Sequence, residues 1–258
     1  MIDRREQILA HVVLGVFALV ALAPIVKIVL TALSEGGSFA TAWSDGHFAS
    51  YLRSSTIVAA AVVAIATVLS ILAGYAFGMM RFRGEQILFY VLLLGLMVPL
   101  EATIVPLYYD LRDLGLTDTY WALILPQAGV SVAFGTFWMR AFFRSVPRSL
   151  VEAARLDGSS SWSTLRRVVL PLARPAVLTM VVLVFMWTWN EFLLALVMVS
   201  DEDLRTAPLG LAFFQGRNTS DEALLAAGAL IVAAPVVLVY LFLQRHFIRG
   251  MLSGAVKA

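Results

Sequence analysis

Cysteine is absent from this chain of 258 residues, which excludes disulfides and thiolate metal ligands. Charge is scarce as well. Asp, Glu, Lys and Arg make up 14% of residues, where a soluble domain carries about a quarter. So few charges cannot cover a globular surface, and a hydrocarbon solvent accounts for the deficit. The only lysines are Lys27 and Lys257, and no Gly-x-x-x-x-Gly-Lys loop exists. The chain therefore does not cradle ATP phosphates by that device. Its histidines, His11, His47 and His246, are far apart and share no ligand spacing, so no metal site is expected. His-Glu-x-x-His and Gly-x-Ser-x-Gly are missing too, which counts against an intramembrane enzyme.

Apolar residues make up 60% of the chain, and they gather into runs at about 12–33, 55–78, 87–107, 121–143, 175–199 and 224–243. A helix rising 1.5 Å per residue crosses the roughly 30 Å hydrocarbon layer in about 20 residues. Backbone polar groups in lipid must be bonded internally, so these runs predict six transmembrane helices of an all-α membrane protein. The first run follows the charged head Asp3-Arg4-Arg5-Glu6. It is too long for a signal peptide and lacks a small-residue cleavage site, so it reads as a retained helix.

Orientation comes from the loop cations. With the N-terminus inside, the inner segments hold Arg4, Arg5, Arg81, Arg83, Arg140, Arg144, Arg148, Arg155, Arg166, Arg167, Arg174, Arg245, Arg249 and Lys257. The outer segments hold Arg53, Arg112, Arg205 and Arg217. This 14-to-4 bias places both termini in the cytoplasm. Residues 1–258 read as one membrane domain whose largest inner loop is 144–174. The outer loops centre near residues 40, 113 and 212. The first of them, 34–54, is polar and Gly-rich. Tyr108, Tyr109, Tyr120 and Trp121 read as an outer aromatic belt, and Lys27 as a snorkelling residue.

The large inner loop carries the sequence Ser149-Leu150-Val151-Glu152-Ala153-Ala154-Arg155-Leu156-Asp157-Gly158. Ser149 and Glu152 form the pattern of a capping box, which predicts a helix starting at Leu150. Gly158 predicts its stop in a left-handed conformation. Two turns with small alanines suit either docking into a partner or an amphipathic connector on the membrane surface.

Glu152-Ala153-Ala154, three residues, Gly158, nine residues, then Val168-x-Leu170-Pro171 resembles the EAA signature of binding-protein-dependent ABC importer permeases. Val168 stands where Ile is commoner. Met97-Val98-Pro99, Ile104-Val105-Pro106-Leu107-Tyr108, Trp189-Asn190-Glu191-Phe192, Ala207-Pro208-Leu209-Gly210-Leu211 and the tail 250–257 resemble the carbohydrate branch, of the maltose and glycerol-3-phosphate type. The resemblance implies the type I permease fold and no cofactor bound by this chain. It also implies a second permease, two ATPase subunits carrying ATP-Mg, and an extracytoplasmic binding protein delivering a carbohydrate. Nucleic acid has no place in it. ATPase coupling would fall to Glu152, Ala153, Ala154, Leu156, Asp157, Gly158, Leu170 and Pro171.

Ionisable groups at membrane depth are costly and count as functional candidates. Glu101 is expected about 22 Å into the third helix and Glu191 about 24 Å into the fifth, at 1.5 Å per residue. Gln127 is expected at comparable depth in the fourth. With Asn190, Trp187 and Trp189 they offer hydroxyl-binding groups and stacking faces. Interhelical hydrogen bonding or a gate contact explains the same residues. Pro99, Pro106, Pro126 and Pro235 are expected to kink helices or free carbonyls. A secondary transporter is the competing reading. It calls for inverted repeats with coupling-ion ligands, and no paired repeat is visible.

Overall fold

The structure is a computed structural model describing residues 4–217 and 221–255, with side chains over 6–217 and 221–244. The side chains of Arg4, Arg5, Arg245, His246, Arg249, Lys257 and the tail 250–257 lie outside the described residues, as does Asp3. All described secondary structure is helical. Five helices are long and apolar enough to span a membrane: α1 (Arg4–Leu33), α3 (Phe48–Met79), α6 (Tyr120–Ser145), the run Ser161–Trp189, and α12 (Glu222–Ala255). A short helix, α2 (Ser38–Asp45), occupies the segment read as a polar loop, and α3 begins seven residues before the expected Ser55.

The third expected span is not one helix. It is α4 (Glu85–Met97) and α5 (Leu100–Asp113), bent by 95° at Val98-Pro99. Proline disfavours the α region for the residue before it, and Val98 takes φ −88°, ψ 115°. Pro106, Pro126 and Pro235 lie inside continuous helices, so ring geometry alone does not break a span here.

The fifth expected span, 175–199, is also displaced. Its run starts at Ser161 as α8 (Ser161–Thr164), passes through a π-turn at Leu165–Val169, and continues as α9 (Leu170–Trp189). The π-turn is closed by the Leu170 N–H on the Leu165 carbonyl. Pro171 immediately follows and has no N–H to offer an α-helical ladder, so a one-residue register shift fits there. The helix stops at Asn190, and α10 (Leu193–Met198) resumes after three residues. A short 3₁₀ turn at Glu202–Leu204 precedes α11 (Ala207–Arg217), where an outer loop was expected.

By packing, the chain divides into two compact units, residues 1–49 with 210–234, and 50–209 with 235–258. In the first, α2 packs on α1, and Ala42 and Ala32 are buried. Phe48 meets Phe214 edge-on at 5.2 Å and closes over Gly228. Between Glu6 and Leu30 every side chain of α1 is exposed, as a helix facing lipid all round would be.

The second unit holds the main core. Ser70, Gly74 and Gly78 repeat every four residues on α3, so they share one stripe. That stripe faces Gly135, Met139 and Phe143 of α6. A Cβ on Gly74 would come within 2.6 Å of Met139 Cβ, and one on Gly135 within 2.8 Å of Met180 Sδ. Small residues let helix backbones approach where lipid offers no hydrophobic drive. The Ser70 hydroxyl donates to the Val132 carbonyl across the same seam.

At the N-terminal end of α3, hydroxyls tie down the 199–207 segment. Ser50 and Ser54 donate to the Asp203 carbonyl at 3.2 and 3.1 Å, and Tyr51 to Glu202 at 2.9 Å. The Ala207 N–H donates to Ser55 Oγ. Asp118 accepts the N–H groups of Ser200 and Asp201.

Candidate functional site

The connection between α6 and α8, expected on the inner side, folds as α7 (Arg148–Leu156). It starts two residues earlier than the capping box predicts. Pro147, at φ −56° and ψ 128°, is the residue before the helix, and its carbonyl accepts the Leu150 N–H at 3.2 Å. Ser149 therefore lies inside the first turn, alongside the N–H groups it was expected to cap. No side-chain cap forms, and Glu152 has no hydrogen bond or ion pair among the described residues. The capping box is thus absent. Pro147 stands at the N-cap position in its place, with an extended ψ, and the helix begins at Arg148.

The C-terminal stop is as expected. Gly158 sits at φ 77°. Its N–H reaches the Arg155 carbonyl at 3.0 Å, and the Ser159 N–H reaches Ala154 at 2.9 Å. This pair of bonds is a complete Schellman motif, satisfying carbonyls that the helix end orphans.

Helical phase sorts the coupling candidates. At 100° per residue, Val151 and Ala154 point one way, while Ser149, Glu152, Ala153 and Leu156 share an arc of about 100° opposite them. The packing agrees. Ala154 is buried and Val151 touches the core, and α7 packs on α8 and the π-turn. Glu152 and Ala153 are exposed, Leu156 is 90% exposed, and Trp162 nearby on α8 is 62% exposed. So the two alanines have different tasks: Ala154 seats the helix and Ala153 lies on its open face. Asp157 and Gly158 form the stop. Leu170 packs against the core and Pro171 lies in the first turn of α9, so neither belongs to that face.

The polar candidates are placed differently from expectation. Glu101 is in the first turn of α5, just past the 95° break, and is exposed. Gln127 is buried on α6, and its Nε2 donates to the Leu123 carbonyl at 2.9 Å, a bond within its own helix. Trp187 is half exposed and meets Phe134 edge-on at 4.7 Å, with Trp138 tilted against Phe134 at 6.1 Å. Asn190 ends α9, donating from Nδ2 to the Met186 carbonyl at 2.7 Å. Glu191 lies in the break beyond α9, not 17 residues into a span. Its Oε1 accepts the Leu194 N–H of α10 at 2.8 Å. No hydrogen bond or ion pair joins Glu101 to Glu191 among the described residues.

Sequence reasoning named Trp187 but missed its partners Phe134 and Trp138 on α6, though their four-residue spacing signals a shared helix face. It missed the role of Arg140, counted only as an inner cation. It also missed the Ser70, Gly74, Gly78 stripe, which small-x-x-x-small spacing announces.

Comparison with known proteins gives consistent relatives. The family described as binding-protein-dependent transport system inner membrane component matches residues 66–253. The probable ABC transporter permease protein YurM of Bacillus subtilis is 39% identical over 85% of this chain and 73% of its own. The trehalose transport system permease protein SugB of Mycobacterium tuberculosis is 36% identical over 81% of this chain and 77% of its own. Among solved structures, a chain of a bacterial ABC transporter involved in import of the acidic polysaccharide alginate superposes with a TM-score of 0.80. It covers 96% of this chain and 99% of that one, at 24% identity.

Proposed function

The chain belongs to the family of binding-protein-dependent transport system inner membrane components, and on that footing we propose that it is one of two permease subunits in a carbohydrate importer. A permease of this kind is no enzyme, since ATP hydrolysis belongs to a separate ATPase. The complete assembly has a second, different permease, two ABC ATPase subunits holding ATP-Mg, and an extracytoplasmic binding protein. The names of the trehalose permease and the alginate transporter support a carbohydrate or related solute. All 258 residues form a single permease domain in a bacterial or archaeal cell membrane, with both termini in the cytoplasm.

One observation carries the docking part of this reading. The outward face of α7 bears Leu156, almost wholly exposed, on a helix stopped by Gly158. An apolar residue left open on a helix that is otherwise well seated is what an inserting helix needs. Glu152, Ala153 and Leu156 make the contact, Ala154 seats the helix, and Asp157 with Gly158 fixes its end. Leu170 and Pro171 set the direction of α9. ATP-driven closure displaces α7 and switches the permease pair between inward-open and outward-open states. The solute path runs beside Trp187 and Asn190, where an aromatic face and an exposed amide suit sugar hydroxyls. Gln127 and Glu191 hold the backbone that frames it, and Glu101 stands exposed at the α4–α5 break beside it.

Affinity purification of the tagged chain from its native membrane tests the assembly. A second permease and an ABC ATPase should co-purify in mild detergent. A chain that purifies alone and still supports uptake driven by an ion gradient points to the secondary transporter. For topology, a chain carrying Ser159→Cys should resist an impermeant maleimide in intact cells and react in inverted vesicles. The native chain has no cysteine, so the background is clean. Labelling of intact cells overturns the orientation.

A further inference from the structure

Arg140 ties three helices together. It stands on α6, and its Nε donates to the Phe77 carbonyl of α3 at 3.2 Å. Its guanidinium lies 3.7 Å from the centre of the Phe89 ring on α4. Phe77 is in the last turn of α3, where carbonyls have no helical partner. Phe89 is buried and meets the Phe77 ring at 5.7 Å. A carbonyl oxygen and an aromatic face are both electron-rich, and a planar guanidinium can serve them at once. Among the described residues Arg140 forms no ion pair with a carboxylate.

Its position along the chain gives this tie a consequence. Arg140 precedes the start of α7 by eight residues, across the last turns of α6. Beyond Phe89, α4 leads to the 95° break and α5. The α3–α6 seam is locked by Gly74 and Gly78, where a Cβ would strike the facing helix. α4 also packs along α6, but without such a small-residue seam: its Gly95 is open, and α4 is entered through Gly84 at φ 83° with open space around it. The guanidinium is thus the polar grip of α6 on α4.

We propose that Arg140 is a positioning residue that makes α4, and the α4–α5 break, follow α6 when α7 is displaced. The proposal rests on the docking of α7 to the ATPase. It assigns Arg140 no contact with solute.

The test uses the whole complex in nanodiscs and needs no knowledge of the solute. The permease carries Val98→Cys at the break, an exposed position. Fluorescein maleimide labelling is timed without nucleotide and after trapping with ATP, Mg and vanadate. With Arg140 present, trapping should change the labelling rate about tenfold, within the range of typical coupling between sites. In the Arg140→Gln background the change should fall below about twofold, with equal ATPase bound and equal nucleotide trapped. Phe89→Leu should lose much of the change and Phe89→Tyr should keep it, since tyrosine retains the ring face. A full trapping response in both Arg140→Gln and Phe89→Leu overturns the proposal, as does no response with Arg140 intact. If Arg140→Gln does not assemble, the Phe89 pair decides. Failure of the ATPase to bind the Arg140 chain overturns the docking reading itself, and is seen before any labelling.

Discussion

Gly158→Val and Leu156→Asp should each leave the chain folded in the membrane yet strip it of most of its ATPase. The two act by different routes to one surface. Gly158 holds φ 77°, and nothing lies within 4 Å of the position a Cβ would take. The penalty for valine is therefore backbone strain alone, about 1–2 kcal/mol. That is small for a whole membrane domain but large for a nine-residue helix, which is marginal without its tertiary seat. The Schellman bonds from Gly158 and Ser159 would loosen, and the outward face would lose its fixed direction. Leu156 is 90% exposed, so replacing it costs the isolated chain almost nothing. Burying a leucine in a partner is worth about 1.5–3 kcal/mol, so losing it weakens docking by roughly 10- to 100-fold. A buried aspartate would weaken it further. The readout is ATPase recovered per permease after affinity purification, beside monodispersity of the permease. Glu152→Gln serves as a gauge of charge: the carboxylate makes no bond among the described residues, so any loss is charge recognition by the partner. Full ATPase recovery with both Gly158→Val and Leu156→Asp would show α7 to be a mere connector.

The membrane character and the stop of α7 were legible because each is encoded locally. Apolar runs report the solvent, and a glycine after an aspartate at a helix end reports a left-handed residue. The start of α7 was misread for an equally local reason. Ser149 and Glu152 have the spacing of a cap, but the helix begins just after Pro147, so the pattern lies within the turn. Hydropathy also could not separate 87–107 into α4 and α5, because the residues on both sides of Val98-Pro99 are apolar. Nor could it find the end of α9, since Leu193–Met198 prolongs the apolar run past Asn190. Depths counted along supposed straight helices then put Glu101 and Glu191 inside spans, whereas both stand at breaks. The Arg140 tie depends on three helices separated by many residues, which no single-helix pattern can signal.

Glu191 gives the second large effect, and the substitutions must separate its shape from its charge. At 190–192 the helical ladder is interrupted, leaving carbonyls of α9 and N–H groups of α10 without helical partners. Asn190 adds a side-chain bond at 2.7 Å to the Met186 carbonyl, which its own N–H already reaches at 3.2 Å, and Glu191 takes the otherwise free Leu194 N–H at 2.8 Å. In the membrane a backbone group left without a partner costs several kcal/mol, more than the roughly 1 kcal/mol of a cap in water. Leucine at 191 removes the acceptor. Glutamine keeps a carbonyl oxygen in reach of the same N–H and removes only the charge. If Glu191 holds the corner of the path, Glu191→Leu should lower uptake at least about tenfold, by the 1.4 kcal/mol that such a factor requires. Glu191→Gln should keep uptake within about threefold of the parent, since a neutral acceptor still fills the site. Co-purification of the ATPase should be normal for both, because the corner is not part of α7. The measurement is uptake of a labelled carbohydrate carried by the parent strain, normalised to permease in the membrane. Equal loss for glutamine and leucine would mean that the negative charge itself meets the solute or a gate. Full uptake with Glu191→Leu would remove the corner from the transport path altogether.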